Sequence, residues 1–126
     1  MSALTPTAYA AGPWTRRDLF RGQGEVKVWD LIGQREAGAF KAALWCELEA
    51  GGRVGGHVQE VCPELVVCLG GRGEAWVGEV CHSLAPGGCV YLPLGATLRL
   101  CASGEGPLFY LILKVSGLAE GGGLVK

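Results

Sequence analysis

No stretch of this sequence is strongly basic, and the formal net charge is -1. Without clustered lysine and arginine there is nothing to neutralise a run of phosphates, which argues against nucleic acid as a partner. No apolar run approaches the roughly 20 residues of a membrane-spanning helix, which argues against a membrane. No two of the 6 cysteines are spaced as CxxC and no secretion signal accompanies them, so they are expected to be buried free thiols in a reducing compartment. A helical period is almost absent, as are a collagen-like period and any repeat of solenoid length. Thr15-Arg16-Arg17-Asp18-Leu19-Phe20 superficially resembles a twin-arginine export signal. The polar run Arg21–Glu25 follows where an apolar region would be needed, so the expected location is cytoplasmic.

What is present fits one domain with a real core. The chain has 126 residues, 49% of them hydrophobic and only 18% charged. Its 22 glycines fall singly or in pairs between short apolar runs, the pattern of a turn-rich all-β chain. Residues 1–24 carry Pro6, Gly12, Pro13, Gly22 and Gly24 and read as an irregular N-terminal arm with a helical turn near Arg16–Phe20. Trp14 and Phe20 are expected to pin that arm onto a barrel or a partner subunit. Strands are expected over Glu25–Leu31, Phe40–Leu48, the approach to His57, Glu64–Leu69, Glu74–Val77, Cys89–Leu92, Thr97–Ala102 and Leu108–Val115. The barrel domain is thus 25–116, followed by a flexible tail at 117–126. Eight or nine short strands with a turn signal every few residues point to a sandwich or small barrel, and a jelly roll suits the count.

The stretch Gly51–Gly71, GGRVGGHVQEVCPELVVCLGG, holds the chemistry. Strand side chains point to one face at every second residue, so His57 and Gln59 share a face. Glu64 follows a turn containing Pro63 and shares its face with Val66 and Cys68, while Leu65, Val67 and Leu69 point the other way. That second, apolar face would be exposed in a monomer, so a homodimer is expected. Candidate ligand-binding residues are therefore His57, Gln59, Glu64 and Cys68, with a structural role the stronger reading for Cys68. Cys62 falls in the turn, His82 reads as a surface residue, and the tryptophans at 14, 29, 45 and 76 read as packing. Arg99 should point away from Leu98 and Leu100, and Arg53 could reach an anionic ligand at a barrel mouth.

At these residues the chain resembles a cupin. Gly51, five residues, His57, one residue, Gln59, four residues, Glu64, six residues and Gly71 follow the first cupin motif, G-x5-H-x-H-x3/4-E-x6-G, with Gln59 in place of the second histidine. Gly87, five residues, Pro93, Leu94 and Gly95 follow the second, G-x5-P-x-G-x2-H-x3-N, with Leu98 and Ala102 where histidine and asparagine would stand. The resemblance implies an all-β, single-domain cupin jelly-roll β-barrel. It also implies metal-ligand positions at His57, Gln59, Glu64 and Leu98, of which leucine can offer nothing. A divalent ion (Mn, Fe, Ni or Zn) is compatible with the remaining donors but is not favoured. Three readings stay open: a barrel binding a small molecule around His57, Gln59 and Glu64; a metal-dependent isomerase or dioxygenase acting on a small oxygenated substrate; and a non-catalytic accessory or regulatory dimeric barrel. Fold alone does not choose among them.

Overall fold

Alternation of apolar residues over short runs, each closed by glycine or proline, produces strands. A computed structural model describes residues 11–33 and 38–116, and among them are ten strands and one short 3-10 turn. In chain order the strands are β1 (Ala11–Arg17), β2 (Glu25–Asp30), β3 (Phe40–Leu48), β4 (Arg53–Val58) and β5 (Glu64–Gly70), then β6 (Gly73–Val77), β7 (Val80–Leu84), β8 (Cys89–Leu92), β9 (Thr97–Ala102) and β10 (Leu108–Val115). The 3-10 turn, Leu19–Arg21, lies between β1 and β2. One sheet runs β1-β2-β3-β10-β5-β8 and the other β4-β9-β6-β7, with all pairs antiparallel. The two inner faces close on one core, to which Leu48, Val66 and Leu108 contribute from the first sheet and Val54, Ala75 and Leu100 from the second. This is the jelly-roll barrel expected from the strand pattern.

Strand parity holds where it was read. On β5, Glu64, Val66 and Cys68 are buried, while Leu65, Val67 and Leu69 are half-buried on the outer side. Leu65 lies between Leu113 and Tyr91, and Val67 between Leu111 and Cys89, so the outer face of this sheet is a set of apolar rows. The expectation of a homodimer has that face as its basis. Val77–Val80 forms a tight hairpin turn between β6 and β7, with Gly78 at φ 59. Among the described residues no helix is long and apolar enough to cross a membrane.

Two expectations need correction. The arm is not irregular over Ala11–Arg17: that segment is an edge strand, with Arg17 opposite Glu25 and Trp14 opposite Val28. Every residue of β1 is exposed, so it carries no alternating apolar signal, and Pro13 is tolerated there because an outer edge needs no donor. Residues 1–10 and the tail 117–126 lie outside the described residues. The cysteines also divide. Cys46, Cys62 and Cys68 are buried free thiols, but Cys81 and Cys89 are exposed and Cys101 is half-buried. Cys81 lies on β7, of which only Leu84 is buried, and Cys89 lies on the outer side of β8.

One irregularity positions the site. Val54 lies opposite Leu100 and His57 opposite Leu98, so three steps along β4 match two along β9. The extra residue is a β-bulge at Gly55–Gly56, and it turns both Val54 and His57 inward where strict alternation would separate them. Gly55 also accepts the close approach of the 3-10 turn, because a Cβ there would run into the Phe20 carbonyl oxygen. At Gly56 a Cβ would meet only the movable side chains of Arg99 and Thr97 at 3.3 Å. Gly55→Ala is therefore expected to lower stability by about 2 kcal/mol or more and Gly56→Ala by less than about 1 kcal/mol. Urea denaturation of both variants checks this, and equal losses would remove the argument from close approach.

Candidate functional site

β4 delivers His57, β5 Glu64, β9 Leu98 and β10 Tyr110, Ile112 and Lys114 to one cavity of about 150 Å³ inside the barrel. The rest of its wall is largely apolar and includes Val28, Leu44 and Leu100. A second, wider cavity forms the mouth and shares Phe20, His57 and Lys114 with the first. Gln59, Glu60, Val61, Cys62 and Lys41 also line that mouth.

The side chains expected to act together are brought close, with one exception. Gln59 is buried just beyond β4, where its backbone exchanges hydrogen bonds with Gly95 and Ala96 in the turn after Pro93. Its side-chain amide donates to Oε1 of Glu64. Glu64 is itself buried, and its Oε2 has no hydrogen-bond partner among the described residues. His57 is half-buried; its Nδ1 is likewise unpartnered and shielded from solvent. Cys68 is the exception. It does not line the cavity, and its thiol points toward the carbonyls of Gly70 and Gly71 at 3.7 and 3.8 Å, so its place is structural. Arg99 lies outside, 4.7 Å from the centre of the Trp76 ring, and Arg53 donates to Gln23 Oε1 at 3.3 Å.

Burial sets the electrostatics. Desolvation pushes the Glu64 carboxyl up toward its neutral form, against the opposing pull of Lys114. It pushes His57 down, so the imidazole is held neutral, with the neighbouring Gly55 backbone opposing and Lys114 reinforcing the shift. On the inner wall burial pushes the Cys46 thiol pKa up to about 12, with the neighbouring Tyr110 hydroxyl opposing the shift. That thiol is a small apolar wall group that reacts slowly, with no catalytic role.

Sequence reasoning missed Lys114 and undervalued Phe20. Parity on β10 would have found the lysine, because Leu108, Tyr110, Ile112 and Lys114 fall on one face and the first two are plainly core. Phe20 stacks on His57 with ring centroids 4.2 Å apart and an interplanar angle of 17°. It stands at φ 53, flanked by Asp18 at φ 52 and Arg21 at φ 64. Non-glycine residues seldom occupy this left-handed region, and such strain gathers at functional sites.

The donors present do not fit a divalent metal. Leu98 is fully buried on the cavity wall at the position of the fourth ligand. The Gln59 amide is turned to Glu64, and a lysine lines the same cavity. Among the described residues no three His, Cys, Asp or Glu side chains gather at metal-binding distance.

No family model matches the sequence, and no curated protein does. Solved structures do match. A predicted oxalate decarboxylase from Thermotoga maritima superposes with a TM-score of 0.77 at 22% identity, over 82% of this chain and 91% of that one. A cupin-2 domain protein of Rhodospirillum rubrum gives a TM-score of 0.73 at 18% identity, over 95% of this chain and 76% of that one. The barrel has the cupin fold. A cupin 2 domain-containing protein of Halorhodospira halophila is 26% identical, with a TM-score of 0.63, and this chain covers 72% of itself and 64% of that protein in the match. The cupin superfamily resemblance read from Gly51–Gly71 and Gly87–Gly95 thus agrees with the architecture.

Two outcomes follow from the site. Because the folded pKa of Glu64 lies above its ordinary 4.5, the native state keeps this proton where the unfolded chain has released it. Wild-type stability then falls as pH rises from 4.5 toward the folded value. Glu64→Gln cannot titrate and is expected to gain on wild type over that range, as measured by urea denaturation at a series of pH values. Phe20 separates the inner cavity from the mouth, so Phe20→Ala should raise the labelling rate of Cys46 severalfold with a small thiol reagent. Cys81 and Cys89 should label at unchanged rates; a uniform rise at all three would indicate general loosening instead.

Proposed function

We propose that this cupin barrel binds one small molecule, its apolar body in the inner cavity and a hydrogen-bonding head at His57, Glu64 and Lys114. The observation that carries the reading is a pair of buried polar atoms, His57 Nδ1 and Glu64 Oε2, left without partners among the described residues, on side chains that line a largely apolar cavity. Each such atom costs about 1–3 kcal/mol of desolvation unless something pairs with it. A largely apolar pocket with a few convergent polar groups is the usual form of a small-molecule site. Gln59 acts one step back, by fixing the Glu64 carboxyl through its amide. With a lysine facing a neutral histidine and a carboxyl pushed toward neutrality, the head that suits this end is an acceptor of hydrogen bonds.

The test is a thermal-shift screen of small molecules with an apolar body and one polar head, repeated on Leu98→Phe, a substitution that fills the cavity. Hits are expected to vanish in that variant while its circular dichroism stays native. Hits that persist would place binding elsewhere. Elemental analysis of protein purified without a histidine tag or chelator supplies the second readout. Near one equivalent of Mn, Fe, Ni or Zn, lost in Gln59→Ala and Glu64→Ala, would favour a metal-dependent enzyme over this reading.

A further inference from the structure

Lys114 is a cation on the wall of an apolar cavity. Its Cα lies opposite that of Glu64 across the β5–β10 pair, and directly opposed residues on neighbouring strands project to the same side of the sheet. The two nonetheless do not pair. Glu64 Oε1 takes the Gln59 amide, Glu64 Oε2 has no partner, and no described residue forms a hydrogen bond or ion pair with the Lys114 ammonium. Lys114 also lines both the inner cavity and the mouth. A molecule seated in the inner cavity therefore has its outward end beside this charge. Lys41 adds a second positive charge at the mouth, set against the exposed Glu60.

We infer that the ligand is a small carboxylate with an apolar body, and that Lys114 is the residue that selects it. The inference rests on the binding reading above and names the class of molecule. A charge-assisted hydrogen bond from the ammonium to a carboxylate is roughly twice as strong as one between neutral groups. Here the pair forms against an apolar wall, where water competes least. His57 lines the same cavity beside Lys114. The body is bounded by volume. An apolar cavity of about 150 Å³ accepts a molecule the size of benzene. Six-carbon rings and branched chains fit, and larger acids do not.

Three compounds that share one ring and differ in the head separate the possibilities: benzoate, benzamide and benzylamine. Their affinities for the wild-type chain are measured by calorimetry, then repeated on Lys114→Met, Lys41→Met and Leu98→Phe. Benzoate is expected to bind at least about tenfold tighter than the other two, and a tenfold change equals about 1.4 kcal/mol. That preference should disappear in Lys114→Met, survive in Lys41→Met, and be lost with all binding in Leu98→Phe. Equal affinity for the three heads, or a benzoate preference that Lys114→Met leaves intact, would overturn the carboxylate class while leaving interior binding in place. If none of the three binds the wild-type chain, the binding reading falls with it. The wild-type comparison of heads decides the class by itself should Lys114→Met fail to fold.

Discussion

The site depends on one extra residue. A bulge at Gly55–Gly56 lets β4 match three steps against two on β9. Without it, Val54 and His57 would project to opposite faces, and the barrel could have its apolar wall or its histidine there, but not both. Gly55 of that pair also leaves room for the 3-10 turn to lie against β4, where Phe20 stacks on the His57 ring. The barrel interior, its polar end and the aromatic ring at its mouth thus share one backbone irregularity.

Around that geometry, burial decides the chemistry. A carboxyl and an imidazole withdrawn from water both drift toward neutrality, and the amide of Gln59 holds one of them in place. The lysine on β10 is then the fixed charge of the enclosure. Such a set is a poor donor set for a cation, and the small-molecule reading proposed above is built on it. Leu98 fits the same pattern: at a position where a ligand nitrogen would be needed, it extends the apolar wall.

Much of the fold was legible because strands of alternating burial write themselves into sequence. Phe40–Leu48 and Leu108–Val115 begin and end where the pattern does, and the glycine and proline spacing around them marks the turns. The trio His57, Gln59 and Glu64 was legible from the motif spacing alone. What alternation cannot show is an element with no buried face, and β1 is such a strand. It also cannot register an inserted residue, so the shared inward direction of Val54 and His57 is set by the fold and not by the pattern. Lys114 was readable in principle, since it continues the row of Leu108, Tyr110 and Ile112, yet a charged residue near a strand end reads naturally as solvated. The exposed Cys81 and Cys89 show the reverse error, in which a residue type common in cores was assigned there without regard to strand position.

The strand order has a consequence for biosynthesis. β10, the last of the described strands, is not at a margin of its sheet but between β3 and β5. A nascent chain that has emerged only as far as β9 carries two unpaired strand edges, each with open backbone hydrogen-bonding groups, and an inner wall lacking Tyr110 and Ile112. Such edges pair readily with other chains. Closure of the described barrel therefore requires β10, and a chain cut before Leu108 is expected to aggregate rather than form a smaller barrel.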